Sequence, residues 1–158
     1  MSADNGDIDA RAPRPLEALR LIRLSSSARY AIEGLVQLAR SSRPLVDVRE
    51  LARAGALPAN FLAKILQRLA QAGLLVSRRG PGGGYALARQ AAGVTLAEIV
   101  AAAERGERRE HRCLLGHGAC GEKPCALHGS VTEADGVLSR TFAGLTLAQL
   151  AFPPEPRR

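Results

Sequence analysis

The sequence predicts a mainly α chain: a winged helix-turn-helix with a two-stranded β wing, followed by a long C-terminal helix. Three observations predict it. Apolar residues recur at helical spacing in three successive segments between Ser25 and Ala72. A strand, a glycine-rich tip and a second strand follow directly, in the run L-L-V-S-R-R-G-P-G-G-G-Y-A-L-A-R at 74–89. Helix, helix, turn, helix, hairpin is the order of a winged helix-turn-helix. Aromatic residues make up only 3% and Trp is absent, so the core must be Leu, Ile, Val and Ala, a bias toward helices.

Residues 1–22 scatter Asp, Gly, Pro and Arg without period and read as a poorly ordered tail, with at most an extra helical turn at Leu16–Ile22. Residues 23–92 form the winged-helix domain. Its first helix covers Ser25–Arg40, with Ser25, Ser26 and Ser27 offering cap oxygens. Asp47-Val48-Arg49-Glu50 is a capping box for a short second helix, closed by Gly55. Pro58 suits the first position of a third helix, Pro58–Ala72, with Leu62, Ile65, Leu66 and Leu69 on one face and Gly73 after its end. Residues 93–129 hold a connecting helix, boxed by Thr95 and Glu98, and a cysteine loop. Residues 130–152 hold the late helix, boxed at Ser130 and Glu133, with Val131, Ala134, Leu138, Phe142 and Leu145 at three- and four-residue steps. That apolar stripe has little domain left to cover it, so Val131, Leu138, Phe142 and Leu145 are expected to meet their copies in a homodimer. Thr146 and Gln149 cap a last short turn, and 153–158 should fray.

Net charge is +7 and the sequence pI about 10.3, which points to a polyanionic partner: DNA, RNA or an acidic membrane surface. The charge is not spread evenly. Arg23 to Arg89 holds eleven cations against three acids, an excess of +8 in the segment that would read DNA. A helix-turn-helix lays its second helix in the major groove, so Asn60, Ala63, Lys64 and Gln67 are expected at base edges, with Arg68 and Arg29 beside them. Asn and Gln suit adenine; Lys suits guanine or phosphate. Arg78 and Arg79 lead into the wing, where Gly80, Gly82 and Gly83 would let backbone approach phosphate. The glycines sit between strands and no Gly-Lys-Ser/Thr follows, which excludes a nucleotide phosphate loop. No nucleophile–base pair points to an enzyme or a small-molecule substrate. Without a signal peptide or an apolar span, the chain is expected in the cytoplasm, away from membranes.

All three cysteines fall in C-L-L-G-H-G-A-C-G-E-K-P-C-A-L-H, from Cys113 to His128. An odd count argues against a closed disulfide framework, and thiolates so close together suggest a metal or redox centre. Cytoplasmic thiols stay reduced and can hold metal. Zinc accepts such ligands, but its sites usually pair Cys two to four residues apart, and the gap from Cys113 to Cys120 is longer. A metal-free thiol switch is a further alternative, as is an iron–sulfur carrier whose basic domain only docks acidic partners. His111 and His117 read as bystanders, with His117 the substitute ligand.

S-A-R-Y-A-I at 27–32, F-L-A-K-I-L-Q-R-L-A-Q-A-G-L-L at 61–75, S-R-R-G-P-G-G-G-Y-A-L-A-R at 77–89, T-L-A-E-I at 95–99 and the cysteine loop together resemble the Rrf-two family of bacterial transcriptional regulators. The resemblance runs from Arg23 to about Ala151. It implies a dimeric regulator, a repressor at imperfect palindromic sites in double-stranded promoter DNA. It implies an iron–sulfur cluster on Cys113, Cys120 and Cys125 with His128 as fourth ligand, 2Fe–2S before 4Fe–4S or zinc. In the nitric-oxide sensor of that family an aspartate from the partner's first helix completes the cluster. Arg29 stands at that position here and cannot ligate. Ala63 and Lys64 replace an acid and an amide that help the family's cluster regulator choose its site, so operator sequence does not carry over. Imidazole in place of thiolate lowers negative charge and raises the potential, and it yields its lone pair to protons more readily, which suits a sensor.

Overall fold

A computed structural model of the chain describes residues 24–104 and 124–153. The expected tail at 1–22, the ligand candidates Cys113 and Cys120, the bystanders His111 and His117, and the last five residues lie outside these.

Helix α1 (Ser26–Arg40) begins where Ser25 accepts the Ala28 N–H at 3.0 Å. Ala28, Ala31, Leu35 and Leu38 fall on its buried side. After Pro44 the chain extends, and Val46 exchanges both backbone hydrogen bonds with Tyr85 of the wing, at 3.0 and 2.9 Å. Helix α2 (Val48–Ala54) is capped by Asp47, which accepts the Arg49 N–H at 2.8 Å. The returning half of the expected box is missing, because Glu50 pairs with Arg43 at 2.6 Å instead.

The turn between α2 and the next helix differs from expectation. Gly55 keeps a right-handed conformation, and the left-handed residue is Ala56, with φ of 51°. Ala56 N–H donates to Arg53 and Leu57 N–H to Ala52, the two reversed bonds that close a helix end. Helix α3 (Ala59–Gln71) then starts one residue later than predicted. Pro58 is its cap rather than its first residue, and its carbonyl accepts from Phe61 and Leu62. Leu62, Ile65, Leu66 and Leu69 are buried as a stripe. At the far end Gly73 donates to Ala70 and Leu74 to Leu69, so the buried Leu74 folds back over Leu69 and launches the wing.

Strands β1 (Leu75–Arg78) and β2 (Gly84–Leu87) pair antiparallel, Leu75 opposite Leu87 and Arg78 opposite Gly84. Gly84 is held against α2's approach segment; a Cβ there would run into the Val46 carbonyl. After a 3-10 turn at Ala91–Gly93, helix α4 (Leu96–Ala103) opens with the predicted box between Thr95 and Glu98.

Helix α5 (His128–Gly144) starts earlier than the Ser130 box proposed, and Ser130 lies inside it. Leu145 follows its end. Helix α6 (Leu147–Ala151) has the Thr146–Gln149 box as read, and packs on α1. Leu147 is fully buried, and Arg40 Nε donates to the Ala151 carbonyl at 2.8 Å. Two backbone bonds of 2.8 Å, Leu96 to Leu145 and Leu147 to Val94, lace the start of α4 to the start of α6. The core is Leu35, Leu51, Leu62, Ile65, Leu66, Leu69, Ile99 and Leu147 with Val46, Val94 and small Ala residues, and no aromatic ring is among the fully buried. Each such Leu contributes roughly 1.5–3 kcal/mol by leaving water.

Candidate nucleic-acid interface

The stripe that buries Leu62, Ile65, Leu66 and Leu69 dictates what α3 shows to solvent. Asn60, Lys64 and Gln67 are exposed on the opposite side, and Ala63 is half-buried at its edge. Gln67 lines an open cleft of about 250 Å3 with Asp47, Ser77, Arg78, Arg79, Gly80 and Gly83, so the base of the wing and the reading helix share one concavity. Arg78, Arg79, Gly80 and Gly82 are exposed at the wing tip.

The turn favours glycine at all three tip positions. Gly80 and Gly82 take positive φ of 96° and 71°, although a Cβ at either would meet open space. At Gly83 a Cβ would collide with the carbonyls of Arg78 and Gly80.

The arginines divide. Arg40 is engaged with Ala151, Arg43 with Glu50, and Arg89 with Gly93 and Glu98. Arg68, placed with the DNA-contacting residues by periodicity, is half-buried and donates to the Ala103 carbonyl at 3.1 Å. That bond holds the last turn of α4, whose terminal carbonyls attract a cation, and it uses one of the five guanidinium N–H donors. Among the described residues, Lys64, Arg78 and Arg79 have no such partner and remain available to an anion. Glu98, beside Arg89, has its carboxyl held below the usual range, first by the Thr95 backbone N–H and then by the Arg89 guanidinium, against the opposing effect of burial.

Sequence reasoning missed an aromatic contact at the entry of α3. Phe61 is 39% exposed, its ring meets Tyr30 edge-on at 5.5 Å, and exposed Arg29 lies over Tyr30 at 5.1 Å. It ties the second turn of α1 to the first turn of α3. The only signal was the position of Phe61 beside the stripe, one step off the buried face.

Of the four metal-ligand candidates, the described residues include two. Cys125 lies in the turn before α5 and His128 is the first residue of that helix; the His128 N–H donates to the Cys125 carbonyl at 3.0 Å. Both are partly exposed. Sulfur and imidazole donors one turn apart at a helix start are a pair that fits iron or zinc. Among the described residues no three His, Cys, Asp or Glu side chains are grouped. On α5, Val131, Leu138 and Phe142 are half-buried, Val137 is half-exposed, and no residue of the helix is buried within the single chain. Leu145 is half-buried at its end.

Comparison with known proteins agrees with this architecture. The Rrf2 family model, described as an iron-dependent transcriptional regulator, matches residues 24–153. The chain is 33% identical over 139 residues to the HTH-type transcriptional regulator IscR of Cereibacter sphaeroides, covering 86% of this chain and 84% of that one. Its fold matches CymR of B. subtilis, a global cysteine regulator, with a TM-score of 0.65 and 22% identity over 85% of this chain and 99% of that one. It matches the structure of T. potens IscR with a TM-score of 0.63 and 21% identity, over 82% and 85%.

Proposed function

The chain belongs to the Rrf2 family of transcriptional regulators, and from that premise we propose a homodimeric repressor whose hold on promoter DNA is set by an iron–sulfur cluster. It is a DNA-binding winged-helix protein, not an enzyme. The proposal concerns the ligands, the dimer and the signal.

Cys113, Cys120, Cys125 and His128 would hold a 2Fe–2S cluster. When bound, such a cluster supplies a redox- and iron-responsive link between the segments that carry its ligands. The observation that carries the proposal is the placement of Cys125 just before α5 and of His128 as its first residue, on a long helix whose apolar stripe the described residues leave only half-buried. Ligation there bears directly on the helix proposed to pair with its copy. A two-fold dimer presents two α3 helices to half-sites about one DNA turn, roughly 34 Å, apart, so a small change in their spacing alters affinity steeply. Imperfect palindromes follow from that symmetry. No described helix is long and apolar enough to cross a membrane, and the cytoplasm, where thiols stay reduced, is where we place the protein.

The test is anaerobic purification followed by the visible spectrum, iron and sulfide content, and gel shifts on the DNA upstream of its own gene with and without cluster. Visible absorption with two irons and two sulfides per chain, and a shift that differs between the two forms, are expected. A colourless protein with one zinc per chain sinks the cluster. Replacing the three cysteines by serine, with DNA binding unchanged under every redox condition, sinks the sensing role.

A further inference from the structure

The exposed face of α3 offers fewer base readers than its sequence does. Arg68 is half-buried, lies late in the helix and donates to the Ala103 carbonyl, which turns it away from the N-terminal turns that enter the groove. Gln67 stands in the cleft with Arg78, Arg79, Ser77 and Gly80, beside Asp47, whose carboxylate is occupied in capping α2, so the two guanidiniums and the hydroxyl suit a sugar–phosphate strand. Ala63 has no polar side-chain atom and is half-buried. What remains, in the first two turns, is Asn60 and Lys64, both exposed and four residues apart. Four residues rise roughly 6 Å along a helix axis, close to two base-pair steps of about 3.4 Å.

We propose that base selection rests on Asn60 and Lys64, and that the operator half-site presents an adenine and a guanine about two steps apart in the major groove. The inference rests on the DNA-regulator reading above and adds the operator's chemistry to it. Asn60 donates its amide N–H to adenine N7 and accepts from N6; the Lys64 ammonium donates to guanine N7 and O6. Gln67 and the wing arginines hold the backbone and set register.

Duplexes enriched from a random pool by the full-length protein, purified anaerobically, are remade with 7-deazaguanine or 7-deazaadenine at the two positions. Each analogue lacks the N7 acceptor. The wild type should lose roughly tenfold in affinity at each, and Lys64→Ala or Asn60→Ala should be indifferent to the analogue at its own position. Lys64→Gln should move the preferred base from guanine to adenine, and Gln67→Ala should weaken all sequences alike. The assignment is overturned if 7-deazaguanine binds the wild type as tightly as guanine, or if Lys64→Gln weakens every sequence equally and flattens the salt dependence, which marks a phosphate contact. An enriched duplex without this adenine–guanine pair overturns the assignment alone. Folded protein that enriches no duplex overturns the DNA-regulator reading as well.

Discussion

Arg68, by helical periodicity, and Arg78, by its place at the wing, are both cations the sequence puts beside DNA, yet among the described residues one bonds within its own chain and the other does not. Arg68 donates to the Ala103 carbonyl, and Arg78 is exposed in the wing cleft. Binding isotherms over a range of salt should separate them. Arg78→Gln should lower the slope of log affinity against log salt by about one unit. Arg68→Gln should leave the slope alone and cost about 1 kcal/mol of folding stability by denaturant titration. Glu98 carries a pH dependence. Its folded carboxyl titrates lower than in the unfolded chain, so its stabilising contribution is complete above the ordinary carboxylate range and disappears as pH falls through the lowered value. Glu98→Gln should therefore melt below wild type at neutral pH, with the two curves converging in acid. The Thr95–Glu98 box was legible in sequence; the division between Arg68 and Arg78 was not. A cation on the flank of an amphipathic helix reads the same whether it faces a phosphate or a carbonyl 35 residues away.

At the scale of elements, caps were the readable part where a polar residue had no competing use. The boxes at Thr95 and Thr146 form as written. Those at Asp47 and Ser130 do not: Glu50 finds Arg43 nearer, and the stretch before Ser130 is itself able to coil, so α5 starts at His128. The helix-turn-helix corner misled for another reason. Glycine is the usual left-handed residue, and with Gly55 beside it Ala56 gave no sign of taking that role. Ala56 at φ of 51° carries a strain of roughly 1–2 kcal/mol. Glycine there would relieve it at a chain-entropy cost of roughly 0.5–1 kcal/mol. Ala56→Gly should thus raise the melting temperature, by a net gain of about 0.5–1 kcal/mol. The opposite holds at Gly84, where alanine's methyl meets the Val46 carbonyl. Gly84→Ala should lower stability by roughly 1–3 kcal/mol, read by thermal melts.

For the whole molecule, the stripe on α5 and the burial of Leu147 carry opposite messages about the C-terminal third. Leu138 and Phe142 remain half-buried in the single chain, while Leu147 is fully enclosed by it. Leu138→Glu with Phe142→Glu should leave the melting of the winged-helix domain in place and yield a monomer in sedimentation velocity. Leu147→Ala should cost roughly 2–5 kcal/mol by denaturant titration. Periodicity could find the apolar stripe of α5, but which of two neighbouring short segments returns to α1 depends on contacts a hundred residues distant, such as Arg40 with Ala151. The lacing of Val94 and Leu96 to Leu145 and Leu147 fastens the start of α4 to the start of α6. Chain pieces on either side of a cut between α4 and α5 thus stay joined through backbone bonds and the shared core. A protease site engineered between residues 105 and 123 should leave two pieces that co-migrate on a sizing column, parting only in denaturant.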